Sequence, residues 1–300
     1  MDKILILRLC LFLYMNYKKI NNKIIIEDTS NFNIAHILDC GQVFRYLNCG
    51  DCYTLYAKNH KCLLQNENDC VIINSKDIDF FIEYFDLDRD YTKIKANLEK
   101  YEYLDDALKY GSGIRILNQD PIEMIISFII SANNNIPRIK LIIEKLCKEL
   151  GEYIDGYYAF PKLEALAKAE VSLYKEIGAG YRAEYISTTS KMLFDSFDID
   201  SIKLMDTKLA RAELMKLKGV GSKVADCILL FGYHKTDLFP MDTWSIKLYN
   251  QLGMPKNNDI KVMSNNLVAH YGTLSGYAQQ YLYYYIRKIK NITKTGGSSE

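Results

Sequence analysis

The sequence has almost no net charge: 38 lysines and arginines stand against 37 aspartates and glutamates, a balance of +1. A global attraction to nucleic acid or to an anionic membrane is therefore excluded, and any basic footprint has to be local. A cysteine framework is lacking too. Of eight cysteines, only Cys49 and Cys52 stand at C-x-x-C spacing, as "CGDC", and no second pair follows at the spacing of a zinc site. Reduced thiols in a cytoplasmic protein (nucleoid-associated if bacterial) are the expectation. Long apolar runs are also missing. The N-terminal "MDKILILRLCLFLYMNYKK" is interrupted by Arg8, has no small-residue cleavage site after it, and is too short to span a bilayer. Residues 1–15 are set apart as an N-terminal extension, and residues 291–300, ending in "KTGGSSE", are expected to be a disordered tail.

What is present is apolar content, 49% of 300 residues, enough for a sizeable core in two domains. From Lys23 to Asn74 the runs "KIIIE", "VFRYL", "CYTLYA", "KCLLQ" and "CVIIN" alternate with turn-forming "NCGD", "KNH" and "NEND". Strands so spaced, with no helix between them, predict an antiparallel sheet. After Ser75 the periodicity becomes helical. Asp120 and Pro121 in "DPIEMIISFIISA" predict a cap and a first helical residue. Further helices are predicted over 137–150, 161–169, 181–196, 206–217, 222–232, 243–252 and 274–290. The predicted fold class is α+β: an antiparallel sheet domain with flanking helices over 16–115, then a larger helical domain over 116–290.

One stretch, "LKGVGSKVADC" (217–227), resembles the end of a P-loop at first sight. The P-loop reading fails. The motif needs a glycine where Lys216 stands, and its Ser or Thr must follow the lysine, whereas Ser222 precedes Lys223. A cation in the first turn of a helix sits at the wrong end of the macrodipole. That field, with partial burial, predicts a lowered pKa and a nucleophilic amine. Gly219 and Gly221 leave backbone N–H groups open to a phosphate. Downstream, Asp242 in "FPMDTWSIKLYNQLG" is either a helix N-cap or a carboxylate that stabilises positive charge at a reacting carbon. A lysine nucleophile beside an aspartate suits displacement of a base from a sugar.

With an aspartate 19 residues after the lysine, "KGVGSKVADC" and "FPMDTW" resemble the helix–hairpin–helix DNA glycosylases. The 8-oxoguanine DNA glycosylase branch is the most similar. "CGQVFRY", "QDPIEMIISFIISANNNIPRI", "GAGYRAEYI" and "GYAQQYLYY" match it in the same order, so the resemblance spans roughly residues 38–286. It implies a bifunctional glycosylase and AP lyase acting on damaged double-stranded DNA as a monomer. No membrane association, catalytic cofactor or iron–sulfur cluster is implied. Lys223 would attack C1′ of a flipped nucleotide, form a Schiff base and permit β-elimination, supported by Asp242. The Gly41 carbonyl would accept from N7–H of 8-oxoguanine, where normal guanine offers only a lone pair. Gln279 would read the Watson–Crick edge, with Tyr283 and Cys227 against the two faces of the base. Asn133, Arg138, Tyr181 and Arg182 would fill the gap and contact the orphaned cytosine, which implies a preference for that base.

The Met215, Leu217 and Val220 carbonyls would hold a structural cation at the hairpin. Trp244 stands where the family commonly has a histidine; its indole can donate to a phosphate but cannot titrate. Lys218 stands where proline is common. Two other readings remain: an alkylated-base glycosylase of the same superfamily, which usually lacks the lysine, and a non-enzymatic helix–hairpin–helix DNA-binding module.

Overall fold

The computed structural model describes residues 17–295, with side chains as far as Arg287; the N-terminal extension over 1–15 lies outside the described residues. Six strands form one sheet: β1 (Tyr17–Ile20), β2 (Lys23–Ile26), β3 (Tyr46–Asn48), β4 (Cys52–Ala57), β5 (His60–Glu67) and β6 (Cys70–Asn74). Their order is β1-β2-β6-β5-β4-β3, and every neighbouring pair is antiparallel. Alternation sets the buried face: Ile24 and Ile26, Leu55 and Ala57, Cys62 and Leu64, and Val71 and Ile73 point into one core. "CGDC" is the turn between β3 and β4. Cys49 N–H donates to Cys52 O at 2.9 Å, Gly50 takes φ +90°, and all seven described cysteines are free.

Helices α1 (Ile34–Asp39), α2 (Ile78–Tyr84), α3 (Tyr91–Leu98) and α4 (Asp105–Tyr110) surround the sheet or follow it. Helix α1 interrupts the stretch predicted to be helix-free. Asn33 caps it by accepting from His36 N–H at 3.0 Å, and Ile34, Ile37 and Leu38 bury one side. Six residues are too few for periodicity to show in the sequence, yet α1 carries the chain from β2, next to one sheet edge, to β3 at the other.

The helical part comprises α5 (Pro121–Ser131), α6 (Ile136–Leu150), α7 (Leu163–Lys168), α8 (Val171–Glu176), α9 (Arg182–Asp195) and α10 (Ser201–Leu204). It continues with α11 (Thr207–Leu214), α12 (Ser222–Tyr233), α13 (Thr243–Gln251), α14 (Ile260–Tyr271) and α15 (Ser275–Thr295). Asp120 caps α5, accepting from Glu123 N–H at 3.0 Å, and Pro121 opens it as predicted. Helix α14 falls outside the predicted helices: it buries only Met263, Leu267 and Tyr271, a narrow stripe in a polar stretch. Helix α15 runs on to Thr295, into the stretch expected as tail; 296–300 lie outside the described residues.

Buried contacts join the two halves, and Arg115 braces the end of the sheet half. Tyr91, Leu98, Leu104 and Ala107, from the sheet half, pack in the helical core. Arg115 is fully buried and donates to the carbonyls of Phe85, Asn31, Asp86 and Arg89, with its guanidinium 3.9 Å from the Tyr91 ring centroid. His234 closes α12 in the left-handed region at φ +52°. Its Nε2 lies 3.1 Å from the Tyr277 hydroxyl on α15 and 3.6 Å from Asp86 Oδ2.

Burial pushes the His234 pKa down from 6.5 to about 4. The folded value lies below the unfolded one, so the unfolded chain takes the proton first and stability is lost as pH falls from 6.5 towards 4. Asp226, raised to about 6 by burial, works in the opposite sense over an overlapping range. The difference between variants therefore isolates the histidine. His234→Asn, which also tolerates the left-handed backbone, is expected to gain on wild type by up to roughly 3 kcal/mol between pH 6.5 and 4 in urea melts. A constant difference across that range would remove His234 as the cause.

Candidate active site

Helices α11 and α12 with the turn between them form a helix–hairpin–helix. Arg211 on α11 and Asp226 on α12 pair at 2.5 Å and tie the two helices together. Thr189 Oγ1 donates to Lys218 O at 2.8 Å and fastens the turn to α9. Gly219 takes φ +84°, and a Cβ there would meet the Tyr185 ring at 2.8 Å, so this position admits only glycine. Gly221 is the N-cap and supplies no side-chain acceptor, which leaves first-turn N–H groups facing an open groove lined by Tyr185 and residues 215–221. The Leu217 carbonyl accepts from Val220 N–H at 3.2 Å. Among the described residues, no backbone hydrogen bond outside the helices ends on the Met215 or Val220 carbonyl. These carbonyls suit a hard cation, and no cluster of three His, Cys, Asp or Glu side chains among the described residues offers an alternative site.

Lys223, in the first turn of α12, points inward. Its Nζ lies 5.4 Å from the Phe128 ring centroid, and Cys227 stands one turn on in the same helix. One cavity of about 40 Å³ is lined by Lys223, Cys227, Asp242, Gly41, Gln279 and Tyr283, together with Cys40, Phe128, Phe231, Pro240 and Gln280. Six of the expected site residues, from four separate stretches, thus converge on one space. Asp242 is the helix N-cap that the sequence allowed, and it also lines the cavity. Its Oδ1 accepts from Trp244 N–H at 3.1 Å and Ser245 N–H at 2.7 Å, capping α13, and its carboxylate also faces the cavity.

Gly41 closes α1 at φ +84°. A Cβ there would lie 3.1 Å from Tyr283 Cε1 and 3.2 Å from Arg287 Nη1, so glycine is needed for both conformation and approach. The Tyr283 ring rests against Gly41, and about 40 Å³ holds a few waters rather than a purine.

The expectation of a lowered lysine pKa is overturned. The Lys223 ammonium is held above the ordinary lysine range by the Cys227 sulfur, Tyr283 and Asp242, which together outweigh its burial. Burial pushes the Cys227 thiol up to about 11, so near neutrality the carboxylate of Asp242 is the full negative charge the ammonium faces. That charge counts for much because it shares a low-dielectric pocket with the amine.

Asn133, Arg138, Tyr181 and Arg182 lie together elsewhere, around the turn between α5 and α6. Asn133 takes φ +49°, and Arg138 is exposed, its Nη2 donating to Gly178 O at 3.3 Å. Tyr181 is 55% exposed, with the Arg182 guanidinium 4.4 Å from its ring centroid. Arg182 departs from expectation. It is 4% exposed and donates to Ala132 O at 2.8 Å and Asn133 O at 2.7 Å. The carbonyls left open where α5 ends claim its donors, so it shapes the Asn133 turn and does not project outward. Trp244 is half-buried on α13, with Lys247 Nζ 5.2 Å from its ring centroid.

Cys40, Phe128, Pro240, Gln280 and Arg287 join the site without having been expected there. Arg287 had a signal: it lies one turn beyond Tyr283, and its Nη1 donates to the Tyr283 hydroxyl at 3.4 Å. Gln280 had none, because it adjoins Gln279 and shares no helical spacing with it.

Residues 24–125 match the family described as the 8-oxoguanine DNA glycosylase N-terminal domain. Residues 126–269 match the HhH-GPD superfamily of base excision DNA repair proteins. A probable N-glycosylase/DNA lyase of Methanothermobacter thermautotrophicus is 35% identical over 232 residues, covering 69% of this chain and 74% of the relative. The Saccharomyces cerevisiae N-glycosylase/DNA lyase is 32% identical, covering 71% of this chain and 66% of its own length. Among solved structures, the Clostridium acetobutylicum 8-oxoguanine glycosylase/lyase has been captured with double-stranded DNA containing cytosine opposite 8-oxoG. It superposes with a TM-score of 0.87 at 35% identity, covering 92% of this chain and 99% of that one.

Proposed function

The chain belongs to the 8-oxoguanine DNA glycosylases of the HhH-GPD superfamily, and from that membership we propose that it excises 8-oxoguanine from double-stranded DNA and then cuts the strand. It is a DNA N-glycosylase with lyase activity at apurinic and apyrimidinic sites. The observation that carries the finer reading is the convergence of Lys223, Asp242, Gly41 and Gln279 on one cavity.

The hairpin N–H groups and Gly219 and Gly221 hold a phosphate, and the lesion nucleotide turns out of the duplex into the cavity. Tyr283 swings off Gly41 and stacks on the base opposite Cys227. The Gly41 carbonyl accepts from N7–H, and Gln279 reads the Watson–Crick edge. Because the resting lysine is an ammonium, it first gives a proton to the departing base. The C1′–N9 bond breaks with its electron pair going to that base, and the Asp242 carboxylate steadies positive charge at C1′. The resulting neutral amine attacks C1′. Opening of the sugar leaves a Schiff base, and loss of a C2′ proton expels the 3′ phosphate. The lysine does this without a catalytic cofactor. A cation held by the Met215, Leu217 and Val220 carbonyls would add positive charge beneath the bound phosphate. The enzyme works as a monomer on DNA in the cytoplasm. Separately, no helix among the described residues is long and apolar enough to cross a membrane.

The lysine in the same cavity as Gln279 disfavours an alkylated-base glycosylase and a binding module alike. The direct test is excision from one lesion-containing duplex compared with undamaged guanine, which should be left intact. Opposite-base preference rests on Asn133 and Arg138, since Arg182 is turned inward. Cytosine is expected to be favoured over adenine about tenfold or more, as one good side-chain pair provides, and Arg138→Ala should reduce that ratio. Equal cleavage opposite all four bases would remove the preference.

A further inference from the structure

An ammonium facing a cavity walled largely by aromatic rings and cysteine thiols needs something to stabilise its charge. Among the described residues Lys223 forms no salt bridge. Asp242, the carboxylate of that wall, engages its Oδ1 with the N–H groups of Trp244 and Ser245. Cys227 is a neutral thiol near neutrality, its pKa pushed up to about 11 by burial, and burial likewise holds the Tyr283 phenol above its ordinary range. What the amine lies against is a ring. Lys223 Nζ stands 5.4 Å from the Phe128 centroid, inside the roughly 6 Å reach of a cation–π contact.

Two neighbours hold that ring in one orientation. Phe231 of α12 stacks with it, centroids 5.6 Å apart at an interplanar angle of 16°, and Phe44 meets it edge-on at 5.8 Å and 70°. Phe44 belongs to the same short segment as Gly41. The segment that carries the Gly41 carbonyl and the helix that carries Lys223 therefore meet on one side chain. Phe128 is 3% exposed, in a helix whose Met124, Ile125, Ile129 and Ile130 are buried as well. Isoleucine or leucine would be as readily buried there. Only an aromatic ring adds a negative face turned towards a cation.

We propose that Phe128 is a positioning residue for excision: its ring seats the Lys223 ammonium in the cavity and favours the ammonium over the free amine. The role rests on the reading of Lys223 as proton donor and nucleophile. Other titratable and charged groups surround that amine from every side: Cys227 and Asp226 on α12, Asp242 ahead of α13, Tyr283 and Arg287 on α15, and Cys40 after α1. Taking away the negative face of the ring leaves all of them in place. The lysine then holds its proton less tightly.

Fluorinated phenylalanines in place of Phe128 test this in the full-length protein, because fluorine drains the ring face of negative charge and nearly preserves its shape. Through the mono-, tri- and pentafluoro series, the alkaline fall of 8-oxoguanine excision is expected to move to lower pH by about one pH unit, as for a contact that favours the ammonium about tenfold. On a duplex with a preformed abasic site, borohydride trapping near neutral pH should become a few-fold faster, since more of the lysine is free amine. Phe128→Leu should shift the same way, with a loss of melting temperature that the fluorinated series avoids. Loss of packing alone would slow both reactions and would not follow fluorine content. An alkaline limb that stays in place across the series, or trapping that slows with each added fluorine, would overturn the assignment. No trapping by the wild type would overturn it together with the reading of Lys223. Failure of the wild type to excise 8-oxoguanine, with abasic trapping intact, would refute only the lesion specificity, and the abasic series would still decide the role of the ring.

Discussion

Lys223→Gln abolishes the covalent adduct that borohydride traps between the wild-type protein and an 8-oxoguanine duplex. The substitution removes the amine and keeps a neutral side chain of similar reach beneath Phe128, so the fold should persist. Excision should fall on the order of 10⁴-fold or more, the scale seen when a nucleophile acting as part of a unit is deleted. DNA binding should remain within a few-fold, because the hairpin N–H groups that meet the phosphate are untouched. An adduct that survives in this variant would place the nucleophile elsewhere. Retained binding with no trapping by the wild type would favour a binding module.

Asp242 gives the second large effect, and two substitutions separate its two jobs. Asn is as good an N-cap as Asp, so Asp242→Asn should keep the bonds to Trp244 and Ser245 N–H and melt close to wild type. It removes the negative charge facing Lys223 and C1′, and excision should drop by about 10²- to 10³-fold, the usual size for losing a preorganised electrostatic group. Asp242→Ala loses the cap as well and should cost about a further 1 kcal/mol of stability. Full activity in Asp242→Asn would reduce the residue to a helix cap.

The loss of charge in Asp242→Asn has a corollary at Lys223. Asp242 is one of the groups holding the ammonium above its ordinary range. Its removal shifts that balance towards the free amine, and because the ammonium must give the first proton, the variant's rate should begin to fall at lower pH than wild type on the alkaline side. The defect is therefore expected in the height of the pH profile, with no shift of the profile to higher pH.

Much of this site was legible in the sequence, for reasons that are local. Asp120 and Pro121 announce α5, and the Gly219 and Gly221 turn announces the hairpin, because caps and left-handed turns depend on a few adjacent residues. Lys223 and Cys227, or Gln279 and Tyr283, share a face because four residues make about one helical turn. Other features gave no such signal. Helix α1 is too short to be periodic, yet it delivers Gly41 to the cavity. Gln280 looks like any core position of a tyrosine-rich helix until it is seen lining the cavity. Arg182 reads as an outward arginine, and only the open carbonyls of Ala132 and Asn133 explain why it is buried.

Spacing along the chain is enough to specify the helix–hairpin–helix, the α+β division and Lys223 with Asp242 as the candidate pair. Which residues share the cavity, which arginine reaches outward and which way Lys223 titrates are settled by packing, because they depend on burial and on charges brought in from distant segments. The lysine shows this most plainly: the helix dipole alone predicts a lowered pKa, and the packing of Cys227, Tyr283 and Asp242 around the amine reverses it.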